Sequence, residues 1–209
     1  MIITIHDLMK KFNLNITGIL HIGAHECEEL KDYQAVGVDV GKTYWVEAMP
    51  DKVAFCQAKY GGGLHIYQAV IDETDGADVI FNVTNNGQSS SILELGTHAY
   101  KHPQVHVINK VATKTIRLDT LIEREQIPIS GLNFVNLDIQ GVELRALKSM
   151  EKYLEHVQYI YTEVNIEEVY KGCNLIGEID EYLRRFGFDR VAQHIYNDLG
   201  WGDAFYIKC

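Results

Sequence analysis

Ile16-Thr17-Gly18-Ile19-Leu20-His21-Ile22-Gly23-Ala24-His25 is the stretch that decides the fold. An apolar run from Ile16 to Ile22 stops at Gly23-Ala24 and gives way to a polar, helix-like stretch from His25 to Tyr33, which reads as strand, glycine turn and helix. Upstream, Ile5 to Phe12 has the pattern of a short amphipathic helix. Downstream, Thr43 to Val46 forms a strand closing on Glu47, and a helix follows Pro50, a residue suited to a first helical position. His65 to Ile71 is a third strand. Parallel strands need crossover connections, and crossover helices cover both faces of the sheet, so the alternation predicts a doubly wound, Rossmann-like α/β fold.

The remainder extends this pattern. Ala77 to Thr84 and Val105 to Ile116 read as strands, flanking a connection of unusual length that carries Asn85-Asn86-Gly87-Gln88-Ser89-Ser90-Ser91. Long connections of this kind are commonly functional. Phe134 to Ile139 is a buried strand, Val142 to Leu154 a helix, Tyr159 to Val164 a strand and Ile176 to Phe186 a helix. Arg190 to Tyr196 and Asp203 to Lys208, joined by Asn197 to Gly202, are expected to close the sheet as an antiparallel hairpin, with Gly202 in the turn. No repeat or Pro-rich linker divides the 209 residues, so a single domain over residues 1–209 is expected.

Composition narrows the function classes. Lys+Arg 19 against Asp+Glu 29 leaves a net charge of −10 with no basic run, which argues against a nucleic-acid partner, since phosphate backbones are held by clustered Lys and Arg. Residues 1–14 lack the apolar core of a signal peptide and no stretch reaches 18 apolar residues, so no transmembrane segment and a cytoplasmic location are expected. The four cysteines (Cys27, Cys56, Cys173, Cys209) form no C-x-x-C pair and read as reduced thiols.

In open α/β sheets ligands bind beyond the carboxyl ends of the strands. The first strand ends at Gly23-Ala24-His25, where a glycine admits close approach and a following helix N-terminus would offer free N–H groups. Glu47 ends the second strand at the distance where an acid accepts hydrogen bonds from an adenosine ribose. The missing G-x-G-x-x-G favours a ligand without a pyrophosphate, such as S-adenosylmethionine, and no P-loop is present. Asp138 ends the strand from Phe134, followed by Ile139-Gln140-Gly141-Val142-Glu143, while Glu163 and Asn165 end the next.

Together these segments resemble the FkbM-type S-adenosylmethionine-dependent methyltransferases of the class I fold. The resemblance is carried by residues 19–25, Trp45-Val46-Glu47-Ala48, Ala69-Val70-Ile71-Asp72, the Asn86-Gly87 to Ser91 loop, Ile116 to Leu121, Asn136 to Glu143 and Trp201-Gly202-Asp203-Ala204. It implies a seven-stranded, mostly parallel sheet with an antiparallel C-terminal hairpin, and methyl transfer to a hydroxyl of a saccharide or glycoconjugate. On that resemblance Gly23, Ala24 and His25 lie along the cofactor's methionine part, Glu47 at its ribose and Ala69 to Ile71 around its adenine, with His21, Ala48 and Asp138 as further cofactor contacts. Asp138 then stands near the reacting centre, and Asn86, Ser89, Ser90, Gln140 and Trp201 are the candidate acceptor contacts. Two departures stand out. The family pattern has an acid where His21 stands, and Lys-x-Asp-x-Glu-Gly where this chain has Asn136-Leu137-Asp138-Ile139-Gln140-Gly141.

An unactivated sugar hydroxyl needs help losing its proton, and the candidate bases are Asp138, Glu163 and His194, with Asp138 first. A metal is the alternative: Asp138, Glu163 and Asn165 offer the oxygen ligands that Mg²⁺ or Mn²⁺ prefer. His98, His102 and His106 share a spacing of four, but Pro103 breaks the helix between them, so these read as surface or loop histidines. The rival functions are a nicotinamide-dependent oxidoreductase, which shares the logic of Glu47, and a non-catalytic nucleoside-binding module.

Overall fold

The computed structural model describes all 209 residues. Its strands are β1 (Ile19–Ile22), β2 (Thr43–Glu47), β3 (His65–Gln68), β4 (Val70–Ile71), β5 (Asp78–Thr84), β6 (Val107–Ile116), β7 (Phe134–Leu137), β8 (Tyr159–Asn165), β9 (Phe188–Tyr196) and β10 (Trp201–Lys208). Its helices are α1 (Ile5–Phe12), α2 (Leu30–Ala35), α3 (Pro50–Tyr60), α4 (His98–Lys101), α5 (Leu118–Arg124), α6 (Glu143–Ser149) and α7 (Ile176–Arg184). Seven strands make one sheet in the order β3-β2-β1-β7-β8-β10-β9, in which only β10 runs antiparallel to its neighbours. This is the expected doubly wound sheet with its antiparallel C-terminal hairpin.

β1 and β7 are buried along their whole length because helices cover both faces. On one face Ile5 and Leu8 of α1, Leu30 and Tyr33 of α2, and Val53 of α3 pack against Ile19, Trp45 and Phe134. On the other, Leu118, Leu144, Leu147 and Leu183 from α5, α6 and α7 pack against Leu20, Ile22, Val135 and Leu137. The local signals agree with these ends. Thr4 caps α1 by accepting the Asp7 N–H, and Pro50 opens α3, where its missing N–H would have had no helical partner.

Among the boundaries that differ from expectation, three bear on the site, and the helix expected over Val142 to Leu154 ends at Ser149. The helix after Gly23 begins at Leu30, not His25, because His25 (φ 43°) and Cys27 (φ 54°) adopt left-handed backbone that a helix cannot contain. The strand expected over residues 65–71 divides at Ala69, whose N–H bonds the Glu47 carbonyl, and Val70–Ile71 then pairs with β6 instead. Gly202 lies inside β10, not in a turn. A Cβ there would stand 2.0 Å from the His194 carbonyl oxygen, so the β9–β10 approach demands glycine.

β4, β6 and β5 form a second, three-stranded sheet, with β5 and β6 antiparallel. The long connection between β5 and β6 is held tightly. The Ser90 hydroxyl accepts the Thr84 N–H, Asn86 and Ser89 bond each other twice, and the Ser91 hydroxyl donates to the Gln140 carbonyl at 2.8 Å. No helix is long and apolar enough to cross a membrane.

Candidate active site

From β1 the chain winds outward through β2 and β3, and from β7 it winds the opposite way, so the switch point falls between β1 and β7. A cleft of about 510 Å³ opens there, at the carboxyl ends of the strands. Gly23, Ala24 and His25 line it after β1, Glu47 and Ala48 after β2, Ala69 and Val70 after β3, Asp138 and Gln140 after β7, and Glu163 from β8. Asn86, Ser89, Ser90 and Trp201 complete the expected set.

Gly23 has a packing reason of its own. At φ 94°, a Cβ would lie 1.8 Å from the Asp138 carbonyl oxygen, so the turn after β1 rests directly on the turn after β7. Glu47 ties the same region to β2: its Oε2 accepts the His25 N–H at 2.7 Å and its Oε1 the Met49 N–H at 2.8 Å. Burial pushes its carboxyl pKa up, against the pull of those N–H groups. His25 bonds Glu28 through Nδ1 at 2.6 Å, and its Nε2 is buried without a partner. That orphaned nitrogen, with the second lone pairs of Glu47, gives the cleft polar atoms suited to a nucleoside-sized ligand, and the volume is of the usual size for one.

The carboxylates converge at the other side. Asp138 is open to the cleft, yet the protein around the cleft floor withholds much of its solvation. That desolvation, reinforced by the charge of Asp203, pushes its pKa up to about 6. Glu163 is buried and is driven well above the usual range by burial first, then by Asp138, Glu143 and Asp203. Gln140 Nε2 donates to both, at 2.5 Å to Asp138 Oδ1 and 2.8 Å to Glu163 Oε2. The Tyr170 hydroxyl in turn donates to Gln140 Oε1, which fixes which way the amide faces. Glu143, buried and raised to about 7 by desolvation, accepts the N–H groups of Ile139 and Gly141 and holds this turn in shape.

Two expected site residues fall elsewhere. His21 does not line the cleft: it is buried on the α2 side, stacked on Trp45 at 4.5 Å, with the Tyr33 hydroxyl 3.0 Å from Nδ1, and burial lowers its pKa to about 4. Its side chain points to the helix-covered face while the next residues carry the turn. His194 sits exposed on the outermost strand, β9, outside the cleft, because β10 inserts between β9 and β8. The metal option also lacks a donor set. No three His, Cys, Asp or Glu side chains are grouped to hold an ion, and Asn165 is buried away from the cleft with neither amide atom partnered.

Four cleft residues escaped the sequence. His98, read as surface, is buried with Nδ1 unpartnered; its ring lies 4.8 Å from that of His102, and both line the cleft, whereas His106 is exposed. Tyr170 carries no motif signal. Asp203, accepting the Ile2 N–H and the Tyr161 hydroxyl, had one: a lone acid entering the apolar run Ala204-Phe205-Tyr206.

Comparison with known proteins shows the family and agrees with the fold. Residues 21–190 match the family model of the methyltransferase FkbM domain. The methyltransferase FkbM of Methylobacillus flagellatus superposes with a TM-score of 0.57 at 12% identity, over 91% of this chain and 43% of that one. The magnesium protoporphyrin IX methyltransferase of Synechocystis, solved with bound S-adenosylmethionine, gives 0.52 at 11% identity, over 97% of this chain and 74% of that one. No protein in the curated comparison matches in sequence.

Proposed function

The chain belongs to the FkbM methyltransferase domain family, and from that membership we propose that it transfers a methyl group from S-adenosylmethionine to a hydroxyl of a saccharide or glycoconjugate. The observation that carries the reading is that Asp138 lines the same cleft as Glu47 and the Gly23–His25 turn. Bound there, S-adenosylmethionine supplies a methyl carbon that the acceptor oxygen takes as the S–CH₃ bond breaks and leaves its electron pair on sulfur. Glu47 accepts from the ribose hydroxyls, the Gly23–His25 turn borders the methionine part, and Ala69 and Val70 border the adenine. No cleft step needs His21.

Asp138 takes the hydroxyl proton. A carboxyl poised near pH 6 is largely ionised at neutral pH yet basic enough to accept a proton as the new bond forms. Glu163, more deeply buried, is pushed well above the ordinary carboxyl range by that burial and by the charge of Asp138, which favours its neutral form and leaves Asp138 as the base. Gln140 fixes the spacing of the two, and Asn86, Ser89, Ser90 and Trp201 border the acceptor. Cytosolic residence is part of this proposal, supported by four unpaired cysteines.

Calorimetric titration with S-adenosylhomocysteine, with NAD as control, is the test. Saturable binding of the first alone is expected, weakened about tenfold or more in Glu47→Gln. Binding of NAD instead would move the protein to the oxidoreductase alternative.

A further inference from the structure

The carboxylates of the cleft differ in what they are bonded to. Glu47 is taken by two backbone N–H groups, Glu28 by His25 and the Glu26 N–H, and Asp203 by Ile2 and Tyr161. Asp138 and Glu163 share a single donor, Gln140 Nε2. No Lys or Arg side chain lines the cleft, and the amine of Met1 is paired with Glu29 at 3.3 Å. A phosphate entering this space would meet carboxylates and no guanidinium or ammonium side chain to hold it.

A second, independent observation bears on the acceptor side. His98 is 7% exposed, borders the cleft beside Tyr170, and has a buried ring nitrogen with no partner. A buried polar atom without a partner is costly, and a ligand hydroxyl removes that cost. We propose that the acceptor is a phosphate-free amino sugar, its ammonium held by Glu163, a ring hydroxyl held by His98, and the hydroxyl beside the amine presented to Asp138. Asp138 and Glu163 accept from the same nitrogen, so the two carboxylates lie close enough for neighbouring amine and hydroxyl groups of one ring to reach both. A bound ammonium supplies a counter-charge to two carboxyls whose surroundings otherwise favour the protonated form.

This inference rests on the methyltransferase reading, and the test separates the two. The S-adenosylhomocysteine complex is titrated at pH 7 with glucosamine, galactosamine and mannosamine, with glucose, galactose and mannose as amine-free partners, and with glucose 6-phosphate. At least one amino sugar is expected to bind about tenfold or more tightly than its amine-free partner, with no binding of the phosphate. Glu163→Gln is expected to abolish that preference while keeping S-adenosylhomocysteine affinity, and His98→Phe to weaken amino and neutral sugars alike. Equal affinity for amine and neutral sugars, tightest binding of glucose 6-phosphate, no binding of any amino sugar, or an undiminished preference in Glu163→Gln overturns the inference with the methyltransferase reading intact. Failure of S-adenosylhomocysteine itself to bind overturns both.

Discussion

At the scale of single residues, Asp138 is where environment sets chemistry. Its carboxylate would titrate near 3.8 in an open setting and is raised to about 6 by desolvation and by Asp203. Methyl transfer should therefore climb with pH through about 6 and level off above it. Asp138→Asn can still accept the Gln140 N–H but cannot take a proton. The expected result is a fall in kcat of roughly 10²–10⁴-fold with loss of the acid limb and little change in S-adenosylhomocysteine affinity. A variant that keeps the limb would remove Asp138 from the role of base. Asp138 was legible in the sequence because it ends a clearly bounded apolar strand. His98 was not, because nothing in its neighbours along the chain records that Tyr170, 72 positions on, packs beside it.

At the scale of elements, the two departures from the family pattern meet. His21 on β1 and Asn136 on β7 are partners in register, both buried, with Asn136 Nδ2 donating to the Tyr33 hydroxyl at 2.8 Å and lying 3.5 Å from His21 Nδ1. A position where the resemblance implies an acid facing a lysine is here filled by a neutral pair, and neither residue lines the cleft. His21→Asp alone buries an unpaired carboxylate and should cost about 3 kcal/mol or more. Adding Asn136→Lys should recover part of that loss, with a coupling of roughly 0.5–3 kcal/mol in a denaturation cycle. Strict additivity of the two would show that the strands do not couple these sites. The turn after β1 offers a sharper case. Gly23→Ala must move either its own backbone or that of Asp138, so a loss of about 2 kcal/mol or more in stability and weaker cofactor binding are expected together. Retention of full stability would mean that the two turns can separate freely.

At the scale of the whole molecule, three carboxyls at the cleft floor bind protons more tightly folded than unfolded. Asp138 is raised to about 6, Glu143 to about 7, and Glu163 well above its usual value. Between the unfolded carboxyl range near 4 and these raised values the folded chain holds more protons, so these groups make stability fall as pH rises through that window. His21 acts oppositely: folded near 4 and unfolded near 6.5, it withdraws stability as pH falls below 6.5. Raising pH from 6.5 to 8 should therefore lower the thermal midpoint, and Glu143→Gln should flatten that slope. An unchanged or rising midpoint over this interval contradicts the assigned shifts.

The sequence by itself determined the strand and helix alternation, the strand-end placement of Gly23, Glu47 and Asp138, and the closing hairpin. Each is written in local periodicity and punctuation, which one stretch of chain carries alone. It did not determine that His25 and Cys27 turn left-handed, because non-glycine residues in that conformation leave no mark in composition. Only the tertiary structure decided that β10 slips between β8 and β9, which removes His194 from the cleft and brings Asp203 in. It alone also set Gln140, Tyr170 and Glu163 into one hydrogen-bonded group around Asp138. Those relations join residues far apart in the chain, and their energy comes from shared burial and shared donors, which exist only once the sheet has formed.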